Sequence, residues 1–79
     1  MKFKVKLISV NDVALFVKKC GDYEEDIDYI YGRYIIDAKS IMGILSTEIG
    51  DVCMVEIHTE DTNKIEKFKE EIKLWLVEE

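Results

Sequence analysis

Seventy-nine residues, 48% of them hydrophobic and 35% charged, suit one small domain spanning 1–79 with a single core and leave no room for a second. A chain this short buries only about 60% of its unfolded surface, so modest stability and no large buried active site are expected. The formal net charge of -6 argues against nucleic-acid binding, which lysine and arginine drive by displacing counterions, and favours basic protein partners or plain solubility.

The opening "KFKVKLI" sets Phe3, Val5 and Leu7 on one side and Lys2, Lys4 and Lys6 on the other, the pattern of a strand with one wet face. The same alternation denies "MKFKVKLISV" the apolar run of about 7 to 15 residues that a signal peptide needs, so the expected setting is the cytoplasm. Apolar runs elsewhere are too short to span a bilayer, and no membrane contact is expected. In "SVNDVALFVKKCG" the period changes: Val13, Phe16, Val17 and Cys20 recur at helical spacing, and Gly21 offers a left-handed stop. Ser9 and Asp12 have the spacing of a capping box, with Ser9 or Asn11 as the N-cap. An acidic stretch, "DYEED", leads into "IDYIYGRYIID", read as two strands joined by a tight turn at Gly32. "SIMGILS" reads as a short helix opened by Ser40; Gly43 in its middle costs up to about 1 kcal/mol relative to alanine, so this helix needs the sheet beneath it. "VCMVEIHT" alternates Cys53, Val55 and Ile57 against Met54, Glu56 and His58, giving a fourth strand. Ile65, Phe68, Ile72 and Trp75 then form the stripe of a closing helix that starts after Asp61 or Thr62, and Glu78 and Glu79 oppose its dipole and fray its end.

Strands with one wet face, alternating with amphipathic helices, predict an α+β two-layer sandwich with one antiparallel sheet and the helices packed on one side. The expected core is Phe3, Val5, Leu7, Val13, Phe16, Val17, Ile27, Ile35, Val55, Ile57, Ile65, Phe68 and Ile72. Cys20 and Cys53 form no C-x-x-C pair, so buried free thiols are expected rather than a disulfide or a zinc site.

The element order, with "DAKSIMGILS" after the hairpin and "FVKK" in the first helix, resembles HPr, the small phosphocarrier family of the bacterial sugar phosphotransferase system, over nearly the whole chain. "KSIMG" carries the most specific likeness, being similar to the regulatory serine segment of HPr proteins from Gram-positive bacteria. The resemblance implies an open-faced βαββαβα sandwich with a four-stranded antiparallel sheet in the order 1-4-2-3 and three helices on one face. In that family a histidine at the start of the first helix, followed after one residue by arginine and then proline, carries the phosphoryl group. Aligning "FVKK" puts Ser9 in the place of that histidine and Asn11 and Asp12 in the places of the arginine and proline. A serine phosphate is a stable ester that cannot hand its phosphoryl group on as phosphohistidine does, and the arginine's planar donor fork is gone as well. The connection between Ser46 and the fourth strand also looks shorter than is typical of HPr. The resemblance thus implies a member without carrier chemistry, with no enzymatic activity and no cofactor.

Ser40 has two compatible readings. It is an ordinary helix N-cap, or it is a phosphorylation site whose phosphate would meet free N–H groups and the helix dipole beside Lys39. At positions matching Ile41, Met42 and Leu45, HPr proteins carry an exposed apolar patch that docks partners, so the resemblance implies a contact surface here; core packing is the alternative, for Ile44 and in part for Leu45. The partners this implies are proteins: an HPr kinase, and a transcriptional regulator or metabolic enzyme. His58, the one histidine, stands in an acidic "EIHTED" context and reads as a solvated surface residue rather than a substitute carrier. The carboxylates Asp22, Glu24, Glu25, Asp26 and Asp28 lack the glycine and spacing of a calcium loop and read as a solvated edge; no metal motif is present. Tyr23, Tyr29, Tyr31 and Tyr34 lack the basic residues of a nucleic-acid platform and read as hairpin packing.

Overall fold

In the computed structural model, which describes residues 1–77, the chain runs β1 (Lys2–Lys6), α1 (Val10–Gly21), β2 (Ile27–Tyr31), β3 (Tyr34–Asp37), α2 (Ile41–Leu45), β4 (Val52–Ile57) and α3 (Thr62–Glu71), followed by a 3-10 turn, Lys73–Trp75. The strands form one antiparallel sheet in the order β1-β4-β2-β3. Alternation dictates its two faces: Phe3, Val5, Cys53, Val55, Ile57, Ile27 and Tyr29 point into the core, and Lys2, Lys4 and Lys6 point away from it. The helices cover the inner face through Val13, Phe16 and Cys20 of α1, Ile44 of α2 and Phe68 of α3. The open-faced sandwich expected from the sequence is therefore the fold. Among the described residues no helix is long and apolar enough to cross a membrane.

Most of the expected core is buried, but Ile35 is 70% exposed. The hairpin register sets Ile36 opposite buried Tyr29 and Ile35 opposite Ile30, so Ile36 turns toward the helices and Ile35 toward the open face. Val17 and Ile65 are half-buried, packed against the core rather than inside it. Tyr23, Tyr29, Ala38, Ile44 and Trp75 complete the core, along with both cysteines. Burial pushes the Cys20 thiol up to about 12, and it raises Cys53 as well, which keeps both protonated and unreactive.

Two local readings also change. Gly21 does not adopt a left-handed conformation: among the described residues only Gly32 and Gly50 have positive φ, and α1 ends at a right-handed Asp22. The Asp22 and Tyr23 N–H groups instead donate to the Lys19 and Cys20 carbonyls, both at 3.2 Å, tightening the last turn. Trp75 lies beyond α3 rather than on it; the chain narrows into the 3-10 turn after Glu71, which swings the indole edge-on to Phe16 at 5.7 Å between ring centroids. After the turn, Leu76 bridges Val5, and the Val77 N–H donates to the Lys4 carbonyl at 2.9 Å, so the chain's last described residues run beside β1. The expected fraying at Glu78 and Glu79 lies outside the described residues.

Candidate functional site

Ser9 opens α1. Its backbone is extended, its Oγ accepts the Asp12 N–H at 3.0 Å, and the Asp12 carboxylate reaches back to accept the Ile8 N–H at 3.0 Å. This is the capping box expected from the sequence, shifted by one residue on its return bond, and it decides for Ser9 over Asn11 as N-cap. Ile8 and Val10, 71% and 61% exposed, flank the serine. The entrance thus offers an exposed hydroxyl, a carboxylate and apolar surface, with no arginine to receive a phosphate.

Ser40 opens α2. Its Oγ accepts the Gly43 N–H at 3.2 Å, so the capping reading of this serine is realised, and the residue is half-buried rather than lying beneath the sheet. Gly43 is required by the close approach of α2 to β3: a Cβ there would sit 2.9 Å from Ile36 Cγ2 and 3.2 Å from Ser40 Oγ. Lys39 turns its ammonium to the Tyr23 carbonyl at 2.6 Å, tying the start of α2 to the end of α1. At the other end of α2, Ser46 and Thr47 cap the helix with hydroxyl bonds to the Gly43 and Ile44 carbonyls, 2.6 and 2.7 Å long. Gly50, at φ +104, then donates its N–H to the Leu7 carbonyl at 2.8 Å, just before the α1 entrance. The segment from Lys39 to Gly50 therefore reaches both ends of α1. Ile44 is fully buried and Leu45 half-buried, whereas Ile41 and Met42 are exposed, Met42 to 76%. A five-residue helix cannot bury every side, and these two side chains are what it leaves to solvent.

His58 lies just past β4. Its Nε2 stands 2.6 Å from Asp28 Oδ2 and 4.0 Å from Glu56 Oε1, and the hydrogen bond to Asp28 raises its pKa above the ordinary histidine value. Lys6 pairs with Val52 and Lys2 with Glu56, so the end of β4 lies at the start of β1, a whole strand length from the α1 entrance that follows β1. His58 and Ser9 occupy opposite ends of the sheet. Of the acidic run, Glu25 is not simply solvated: its carboxylate is bonded to Lys64 of α3. Tyr23 and Tyr29 serve as core residues, Tyr23 bonded through its hydroxyl to Glu71. The pairing of His58 with Asp28, set by strand register, and that of Glu25 with Lys64, set by the docking of α3, were hidden in the sequence. The one available signal was the alternation that puts Glu56 and His58 on the same face.

The HPr family model, described as the PTS HPr component phosphorylation site, matches residues 8–74. The chain belongs to the HPr family. Its fold is shared by HPr-C-His from Thermoanaerobacter tengcongensis, at 24% identity over 92% of this chain and 89% of the other, with a TM-score of 0.69. The phosphocarrier protein HPr of Bacillus anthracis aligns at 22% identity over 91% and 95% of the two chains, TM-score 0.66. Crh, the Bacillus subtilis catabolite repression containing protein, described as a domain-swapped dimer, aligns at 22% over 94% and 88%, TM-score 0.64. A comparison with curated proteins finds no match. HPr proteins are phosphocarriers rather than enzymes, and they act through contact with other proteins of the phosphotransferase system.

Proposed function

We propose that this HPr-family chain is a regulatory protein-binding module of bacterial carbon metabolism or the sugar phosphotransferase system, switched by phosphorylation of Ser40 and without phosphohistidine carrier activity. The observation that carries the proposal is the separation of parts. The α1 entrance, where the family's carrier histidine belongs, holds Ser9, while the chain's one imidazole is a strand length away and bonded to Asp28. A phosphoryl acceptor there would have neither the imidazole nor the arginine that the chemistry needs.

Support for Ser40 comes from its surroundings. Its hydroxyl is half-buried but reachable, it opens a helix, and Ile41 and Met42 stand exposed beside it as a contact patch, with Leu45 contributing its uncovered part. A phosphate would add about -1.5 to -2 charges at the edge of that patch, next to Lys39, and so change which surfaces can dock on it. In this reading residues 1–79 work as one domain in the cytoplasm, and the partners are an HPr kinase and a transcriptional regulator or metabolic enzyme.

Incubation with an HPr kinase and ATP, followed by intact mass, tests the switch: one phosphate is expected on the wild type and none on Ser40→Ala. Incubation with the upstream phosphotransferase enzyme should give no acid-labile phosphate. Labelling of His58 in that reaction, or an unmodified Ser40 in the first, overturns the corresponding half. In the second case Ser40 is a cap only, and the chain is an unswitched interaction module.

A further inference from the structure

We propose that Asp28, Glu56 and His58 form a binding site for one zinc-class divalent ion on the open face of the sheet, opposite the helical layer. The three donors come from rigid neighbours. Asp28 of β2 and Glu56 of β4 are direct cross-strand partners, and His58 follows Glu56 by two residues, so alternation returns it to the same face. The His58 backbone N–H donates to the Asp26 carbonyl at 2.9 Å, which carries the β2–β4 pairing past the end of the strand and holds the imidazole over the carboxylates.

One ligand atom from each residue can be chosen so that all lie within 4.8 Å of one another. Around a tetrahedral ion with bonds of about 2.0–2.2 Å, ligand atoms stand roughly 3.3–3.6 Å apart. The observed separations of 2.6 Å from His58 to Asp28 and 4.0 Å from His58 to Glu56 bracket that spacing, so small side-chain rotations suffice. An imidazole nitrogen with two carboxylates suits zinc and its neighbours better than calcium or magnesium, which take mainly oxygen ligands. Three protein ligands leave a coordination position open to water.

A separate feature of the sheet favours a cation here. Asp37 of β3 lies directly opposite Asp28, so Glu56, Asp28 and Asp37 make a row of carboxylates across three adjacent strands. Like charges directly opposite each other on a sheet are destabilising. At the β1 end of the row, Lys2 stands opposite Glu56 and the Met1 ammonium lies 3.9 Å from Glu56 Oε2. A dication between Asp28, Glu56 and His58 would offset the repulsion between the facing carboxylates.

The test is calorimetric titration of the tag-free, chelator-stripped full chain with zinc chloride at neutral pH. One equivalent should bind, and zinc should shift the His58 ring resonances. His58→Ala and Asp28→Asn should each weaken binding by about tenfold or more, since even the partners of ligands change metal affinity about 10–100-fold. Asp51→Asn, at the other end of β4, should leave it unchanged. Glu56→Gln replaces any variant whose circular dichroism shows it unfolded. No saturable uptake at millimolar zinc, equal affinity for magnesium, or binding that survives His58→Ala overturns the site.

Discussion

At the scale of single residues, Gly43 has the most to say about how the Ser40 region is held. Alanine in place of glycine in a helix normally gains about 1 kcal/mol. Here the new methyl would stand 2.9 Å from Ile36 Cγ2, well inside the about 3.5–4.0 Å at which carbons attract, and 3.2 Å from the Ser40 hydroxyl that caps the helix. Overpacking of this kind costs about 1–3 kcal/mol, so Gly43→Ala should lower stability by about 1 kcal/mol despite the helix propensity. On an Ile36→Ala background the same change should be neutral or stabilising. Urea unfolding of the four proteins in that cycle measures both effects, and a stabilised single Gly43→Ala variant would contradict the close packing of α2 on β3. Ser40→Ala should separately cost about 1 kcal/mol through the lost cap. The sequence alone presents Gly43 as a propensity defect, because the neighbour that demands it, Ile36, is brought there by the hairpin register.

At the scale of elements, the acidic segment between α1 and β2 is fastened to α3 through Tyr23 and Glu25, while Asp22, Glu24 and Asp26 stay exposed as a solvated edge. Glu25 is bonded to Lys64 and Tyr23 to Glu71, and the Tyr23 ring meets Phe68 edge-on at 5.4 Å. The Lys64 ammonium holds the Glu25 carboxyl below its ordinary pKa. A carboxyl depressed in the folded state contributes stability at pH values above its unfolded pKa, and that contribution disappears as pH falls through the folded value. Acid unfolding should therefore be steeper in the wild type than in Lys64→Met, with the two stabilities converging below the carboxylate range. Parallel acid-limb curves would show that the pair does no work in solution. Helix entrances were legible in the sequence because caps are local: Ser9, Ser40 and Asp61 each bond an N–H within three residues. Pairings such as Glu25 with Lys64, 39 residues apart, have no local signature.

At the scale of the whole molecule, the period of each segment carried enough information for the layers, because alternation and helical stripes say which side of every element is apolar. Register is a relation between segments, and it decided what remained: Ile35 turned outward, and His58 came to rest on Asp28. The location of Trp75 was likewise half legible, its burial following from the apolar stripe but not its departure from α3. That residue joins the layers. It packs edge-on against Phe16, which itself meets Tyr29 of the sheet at 6.0 Å, and it precedes the segment that runs along β1. Removing such a side chain costs about 3–5 kcal/mol, a large share of the roughly 5–15 kcal/mol available to a small domain. Trp75→Ala should thus lose about 3–5 kcal/mol of unfolding free energy in urea titrations followed by circular dichroism. Trp75→Phe should stay folded with a smaller loss, since the buried indole Nε1 finds no hydrogen-bond partner among the described residues and the ring contact is kept. Because Trp75 is the sole tryptophan, wild-type unfolding followed by its fluorescence should coincide with the loss of helix measured by circular dichroism. Separate midpoints would mean that the C-terminal turn comes away before the sheet and helices do, and Trp75→Ala would then cost only its local contacts.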